Sequence, residues 1–390
     1  MLGGVVVKRV SWPLWLLLTM ALLACAVACG SAASSSSHPA TDDDSSPLDD
    51  DASPDDDASP DDDSSPDDDS TADDDTMPDD DDDNDDNDND DNDDDFDWPP
   101  MTSGTTASLS AVWGSGASDV FAVGYDSGVG SVILHYNGSA WSPMTSGATV
   151  FLAAVWGSAA SDVYAVGDTG TVLHYDGTAW TPLTTGATVL LYGIWGAAAD
   201  NIFVVGDTGV ILQYNGSTWT PMTSGTKAQL SGVWGSSASN VFAAGYDANA
   251  SVAAILQYDG TSWSPMSTGS PASPAWLSGV FGNSATDVFA VGWDGTGGGG
   301  VILHYDGTAW TQMSTTTPAS LLSVWGASSS DVFVVGEDDA TGEAAILQYN
   351  GTAWTGMASG TSLALFGVWG SSATNAFAVG DAGTILHYGG

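Results

Sequence analysis

The chain has 390 residues with 50 acidic side chains against three basic ones, a formal net charge of −47, and it carries 48 glycines and 17 tryptophans. Phosphate backbones and anionic lipid surfaces are recognised through Lys and Arg, so this charge excludes nucleic acid as a partner and a bilayer surface as an electrostatic one. Residues 1–97 hold 32 of the acids and two of the bases, while residues 98–390 hold the other 18 acids and only Lys227. The second segment exceeds what one compact core usually covers, which points to a barrel or a repeat array.

Lys8 and Arg9 precede an apolar run from Val10 to Ala28 broken mainly by Ser11, Pro13 and Thr19. This is the charged and apolar order of an export signal, although the run is also long enough for a spanning helix. Both cysteines of the chain sit at its end, Cys25 in Leu-Leu-Ala-Cys and Cys29 in Ala-Val-Ala-Cys. Each resembles a bacterial lipobox, and that resemblance implies cleavage and acylation at Cys29, with Cys25 as fallback. Residues 1–29 are then a lipoprotein signal peptide, placing the protein at the outer membrane on its cell-surface or periplasmic side. With no other cysteine, the body has neither a disulfide framework nor a thiolate metal site.

Residues 30–97 are Ser, Pro, Asp and Asn almost to exclusion. Dense like charge with little apolar surface cannot offset the entropy of ordering, so a disordered, self-extended linker is expected. Weak calcium binding by its carboxylates is the alternative use, but no EF-hand loop with its glycine and closing glutamate is present. No other cofactor is expected.

From Trp98 onward one unit recurs. Val-Trp-Gly or a near variant places an aromatic at Trp113, Trp156, Trp195, Trp234, Phe281, Trp325 and Trp369, spaced 39 to 47 residues apart. Each copy reads as four short strands: one ending at Trp-Gly, one like Val120–Gly124, one like Val132–Tyr136, and one opening at a Trp such as Trp141. Asn-Gly or Asp-Gly pairs such as Asn137-Gly138 and Asp176-Gly177 stand between the third and fourth strands, where type I′ turns are expected. Four antiparallel strands per unit in seven copies predict an all-β fold, a seven-bladed β-propeller over residues 98–390. Trp98–Met101 matches a fourth strand without the first three, and Leu386–Tyr388 ends a third strand without a fourth. The N-terminal strand is therefore expected to close the last blade.

Glycine, tyrosine and tryptophan in order, as in Gly167, Tyr175 and Trp180, or Gly206, Tyr214, Trp219 and Met222, resemble kelch and galactose-oxidase-type propeller repeats. The second glycine of the kelch doublet is Asp, Glu or an aromatic here and the Tyr-to-Trp spacing is shorter, so the resemblance implies the fold alone. The units also resemble the WG- and VFAVG-repeat lipoproteins of myxobacteria-like bacteria.

The chemistry-bearing residues divide by repeat position. His135, His174, His304 and His387 alternate with Gln213, Gln257 and Gln348, and Gln is a poor transition-metal ligand, so no metal site is expected there. Galactose-oxidase chemistry needs a cysteine and sialidase-like clamping needs arginines, and the body has neither. Eight acids, including Asp119, Asp162, Asp200, Asp287 and Asp331, read as repeat-locked turn residues. The other ten all fall between second and third strands: Asp126, Asp168, Asp207, Asp247, Asp294, Glu337, Asp338, Asp339, Glu343 and Asp381. In the three shortest of these loops Asp168, Asp207 and Asp381 read as plain turn formers. The longer loops vary in length, and variable loops on a rigid scaffold are where binding is built.

Once the repeat-locked tryptophans are removed, Trp276 and Trp293 remain. Trp276 is expected in the Ser267–Ser278 link and Trp293 at the head of a fifth-blade loop. The candidate ligand site is therefore Trp276, Trp293 and Asp294, extended by Tyr246, Asp247, Glu337 and Asp338. The expectation is a non-enzymatic, monomeric binding propeller for carbohydrate or protein, tethered to the membrane through its lipid anchor. A glycosidase or polysaccharide lyase using carboxylates of that face is the alternative, and a structural envelope protein the second.

Overall fold

The computed structural model of the chain describes residues 97–389 apart from 270–274, 297–298, 316–318 and 340. The export signal, Cys25, Cys29 and the acidic tract lie outside the described residues. The first sheet runs Ser108–Gly116, Asp119–Asp126, Gly130–Tyr136 and Trp141–Pro143, each strand antiparallel to its neighbour. The same order repeats over residues 152–183, 191–222, 229–265, 275–313 and 319–356, and in three strands over 365–388. First strands of successive sheets adjoin one another all round, including the first against the seventh, so they line the axis of a closed ring of seven blades.

The N-terminal segment supplies the missing outer strand of the seventh blade. Met101 N donates to Ile385 O at 2.8 Å, His387 N donates to Pro99 O at 3.0 Å, and Pro100 bridges Leu386. Trp98 is fully buried and meets Phe333 of the sixth blade edge-on at 5.4 Å and Tyr388 at 5.2 Å. Trp141 does the same in the first blade, against Tyr136 at 5.3 Å and Phe377 of the seventh at 6.1 Å. Each outer tryptophan thus ties its blade to the preceding one, and pairing through the N-terminal strand removes an open sheet edge at the seam.

Both glycines of the repeat are steric. A Cβ on Gly124 would lie 2.0 Å from Ser108 O, because the first strand bulges between Leu109 and Ala111 and pushes that carbonyl inward. The glycine after the first-strand tryptophan leaves room for the indole of the preceding blade.

The turns between third and fourth strands differ from the expected type I′ hairpins. Only the glycine has positive φ, 90° at Gly138 and 88° at Gly177, whereas type I′ needs it at both central residues. The loop spans four residues, and Asn137 Oδ1 accepts from Ser139 N at 3.0 Å and Ala140 N at 3.1 Å. The Asn or Asp was selected for its side-chain oxygen, which stands in for a backbone carbonyl, rather than for tolerance of left-handed backbone. Asp176, Asp259 and Asp306 make the same bonds, which pull their carboxyls below the usual range.

Candidate functional site

The two faces of the ring are chemically distinct. Turns joining first to second strands lie against those joining third to fourth: a Cβ on Gly138 would sit 2.7 Å from Ser118 Cβ, and one on Gly177 2.7 Å from Ser161 Cβ. On this face, three blades carry an aspartate held by a histidine. His135 Nε2 donates to Asp119 Oδ1 at 2.6 Å, His174 to Asp162 at 2.7 Å and His304 to Asp287 at 2.7 Å. Ser115 Oγ donates to the other oxygen of Asp119 at 2.5 Å. These are the residue types of a hydrolytic triad in the wrong order. The carboxylate stands between serine and imidazole, so the imidazole cannot take the serine's proton. In the sixth blade Gln348 Nε2 bonds Asp331 Oδ1 at 3.0 Å, so Gln serves the same bracing purpose. Asp200 does not share this position as its sequence pattern suggested; Asn201 opens the corresponding strand. Among the described residues no group of three or more His, Cys, Asp or Glu is placed to hold a metal ion.

The opposite face carries the turns between second and third strands beside the links between blades. Gly170 N donates to Val189 O at 2.7 Å, and Cβ atoms on Gly209 and Gly383 would meet Thr226 O and Thr105 O. All ten acids outside the repeat-locked turns are here, as are the large exposed apolar side chains Val129, Val252 and Leu363.

The residue following the second-strand glycine forms a rim round the axis. In blade order it is Tyr125, Asp168, Asp207, Tyr246, Trp293, Glu337 and Asp381. Adjacent blades bring these together in four arcs. Tyr125 meets Phe151 edge-on at 6.5 Å. Asp168 and Asp207 feel one another across the second and third blades. Tyr246, Trp276 and Trp293 stack in series, Tyr246 on Trp276 at 3.8 Å and 16°, Trp276 on Trp293 at 5.8 Å and 9°. Glu337 lies near Asp339 and Asp381. Burial, then these two negative neighbours, push the Glu337 carboxyl up to about 7. Burial also raises Asp207, opposed by the Tyr192 hydroxyl and reinforced by Asp168.

The structure brings together Tyr246, Trp276 and Trp293, which the sequence placed in one candidate site, but changes their setting. Trp276 is not in the link: it belongs to the first strand of the fifth blade, Ala275–Ser284, and faces Trp293 across the ladder. Pairing continues past the strand-two glycine, and the long loops are largely strand extensions, with Tyr246 opposite Ala253 and Glu337 opposite Ala344. The flat faces of Trp276 are turned to Tyr246 and Trp293.

The acids are also redistributed. Asp247 Oδ1 accepts from Asn249 N at 2.9 Å, Asp294 Oδ1 from Thr296 N at 2.8 Å, and Asp338 Oδ1 from Thr341 N at 3.0 Å. These three close their own hairpins. Of the three acids read from sequence as turn formers, Asp168 does hold its own turn, Thr169 N donating to its Oδ1 at 2.7 Å. The turns Asp207–Gly209 and Asp381–Gly383 are instead closed by main-chain bonds such as Val210 N to Asp207 O, and Asp207 lies near Asp168 and Asp381 near Glu337. Tyr192 was missed. It follows Leu191 at a position held elsewhere by Ser110, Ala153, Ser231, Ser278, Leu322 and Phe366. The departure from the repeat that exposed Trp276 would have exposed it too.

No protein-family model and no curated protein matches the sequence. Solved structures do. YCF48 bound to D1 peptide is 16% identical with a TM-score of 0.58, covering 75% of this chain and 94% of that one. The selenomethionine-substituted virginiamycin B lyase from Staphylococcus aureus is 12% identical, TM-score 0.60, covering 74% and 98%. The WD40 β-propeller domain of Doa1 is 10% identical, TM-score 0.58, covering 74% and 94%. At these identities the likeness is one of fold, and it is to propellers throughout.

Proposed function

We propose that the protein is an extracytoplasmic binding propeller, held to the outer membrane by lipid on Cys29, that docks a protein partner on the face of the second-to-third-strand turns. The observation that carries this reading is segregation. The ten unshared acids, the aromatic arcs and exposed Val129, Val252 and Leu363 all occupy one face, while the other holds repeated, internally bonded turns. Apolar side chains set among like charges suit a basic, partly apolar protein surface. A carbohydrate partner is less well served, because the indole faces that would stack on a sugar ring are turned to one another. The similar structure of YCF48 bound to D1 peptide supports a peptide-holding use of this fold.

The test is binding to peptide and glycan arrays, with and without calcium, by the intact protein and by Val252→Asp, Leu363→Asp. Loss of peptide binding in that variant, but not in Thr308→Asp on the opposite face, is the expected result; equal loss in both overturns the assignment. Radiolabelled palmitate should enter the wild type and not Cys29→Ser.

One observation favours a second reading. A carboxyl raised to about 7 beside two other carboxylates is the pairing that glycosidases use for general acid and base. Release of reducing sugar from envelope polysaccharide, abolished by Glu337→Gln, would establish it.

A further inference from the structure

We infer that the methionines at the ends of the outer strands are oxidation sites, where a peroxide converts the thioether to a sulfoxide and the indole N–H of the next blade receives the new oxygen. All six methionines of residues 98–390 occupy one place in the repeat, three residues after the fourth-strand tryptophan: Met101, Met144, Met222, Met266, Met313 and Met357. The second blade has Leu183 there, so a plain apolar side chain fills the position and packing alone does not require the sulfur. All six are half-buried on the outermost strands, within reach of a small oxidant.

The sulfur meets an indole N–H across the blade junction. Trp263 Nε1 donates to Met222 Sδ at 3.4 Å, and Trp310 Nε1 to Met266 Sδ at 3.5 Å. Met101, Met144, Met313 and Met357 pack into the same apolar clusters as Trp141, Trp180, Trp354 and Trp98 of the next blade. In these four junctions the indole N–H is sealed from solvent and has no hydrogen-bond partner among the described residues. A buried donor left unpaired is costly, and a thioether is a weak acceptor for it.

Oxidation supplies a better one. A sulfur lone pair attacks one oxygen of hydrogen peroxide, and the S–O bond forms as the O–O bond breaks. The proton of the transferred hydroxyl passes to the departing hydroxide, which leaves as water; sulfur loses two electrons and the peroxide gains them. Methionine has three rotatable side-chain bonds, so the new oxygen can turn to the N–H. A sulfoxide ordinarily disrupts apolar packing. Here its donor is already in place, and four junctions gain a bond that they lack in the reduced protein.

The test treats the full chain with hydrogen peroxide. It is followed by mass spectrometry of chymotryptic peptides, by thermal melting, and by the Nε1–H resonances of isotope-labelled tryptophan. Sulfoxide is expected at all six positions, with the melting temperature unchanged or higher. The resonances of Trp98, Trp141, Trp180 and Trp354 should move downfield, while that of Trp219, which shares its cluster with Leu183, should stay. Leu183→Met should bring Trp219 into the responding set, and Met144→Leu should remove Trp180 from it. A lowered melting temperature with unmoved resonances would make these methionines ordinary packing and overturn the assignment. So would thioethers that survive while free methionine in the same solution is oxidised. None of these readouts depends on what the docking face binds.

Discussion

Trp113 lies in the space that a side chain on Gly157 would fill: a Cβ there would stand 2.6 Å from its Cη2 and 2.7 Å from its Cζ3. The relationship passes from blade to blade, Trp156 to Gly196, Trp195 to Gly235, Trp234 to Gly282, Trp325 to Gly370 and Trp369 back to Gly114. It fails once. The fifth blade has Phe281, whose smaller ring stops short of Gly326, and Asn283 Oδ1 comes closer there instead, 3.4 Å from where the Cβ would be. Blade five therefore replaces two residues of the repeat together, the second helping to fill the gap left by the first.

Gly157→Ala should cost about 1–3 kcal/mol through overpacking against Trp113. Phe281→Trp should also destabilise, because the indole would compete with Asn283 for the notch, and Asn283→Ser in the same chain should restore the loss. Urea denaturation of the two single variants and the double one measures the coupling, and strict additivity would refute it.

Closure through the N-terminal strand predicts a large penalty for Trp98→Ala. This side chain is fully buried between two blades, and a tryptophan truncated in such a place costs about 3–5 kcal/mol. Removing residues 98–103 as well should abolish cooperative melting. A truncated protein melting with the parent would mean that the seventh blade is stable with three strands.

Trp276→Ala should lower the melting temperature, since the ring lies between Tyr246 and Trp293 and each aromatic contact is worth about 0.5–1.5 kcal/mol. Trp293→Ala, at the end of the stack, should cost less stability and more affinity on the peptide array. The reverse ranking would make Trp276 the ligand contact.

Glu337 sets a pH dependence. Its carboxyl is raised in the fold from 4.5 to about 7, so the folded state holds the proton more tightly than the unfolded chain. The resulting stabilisation is present at low pH and is lost as pH rises between those values. Asp207 adds to the same trend. His387 opposes it: burial lowers its affinity for a proton, and Asn375 Nδ2 donates to its Nε2 at 2.9 Å, so acidification below the ordinary histidine range destabilises the seventh blade. The melting temperature of the wild type relative to Glu337→Gln should fall from pH 5 to pH 8, and a constant difference would place Glu337 in a solvent-like setting.

The sequence by itself determined the ring. Each copy repeats the same apolar pattern, so a four-stranded blade is implied locally, and the unmatched Trp98 strand points to closure before any coordinate is known. It also isolated Trp276, Trp293 and Tyr246, because a repeat makes every departure visible. What only the tertiary structure decided is which departures meet. Tyr192, Asp168 and Asp207 come from two blades, as do Glu337 and Asp381, and their proximity depends on the angle between neighbouring sheets and on a first-strand bulge that no residue type announces. The roles of the acids were reversed for a related reason. An aspartate beside a glycine looks like a turn former wherever it occurs, but the Asp207 turn is closed by its own main chain and leaves the carboxylate over to the rim, whereas the Asp294 hairpin uses its carboxylate to hold Thr296.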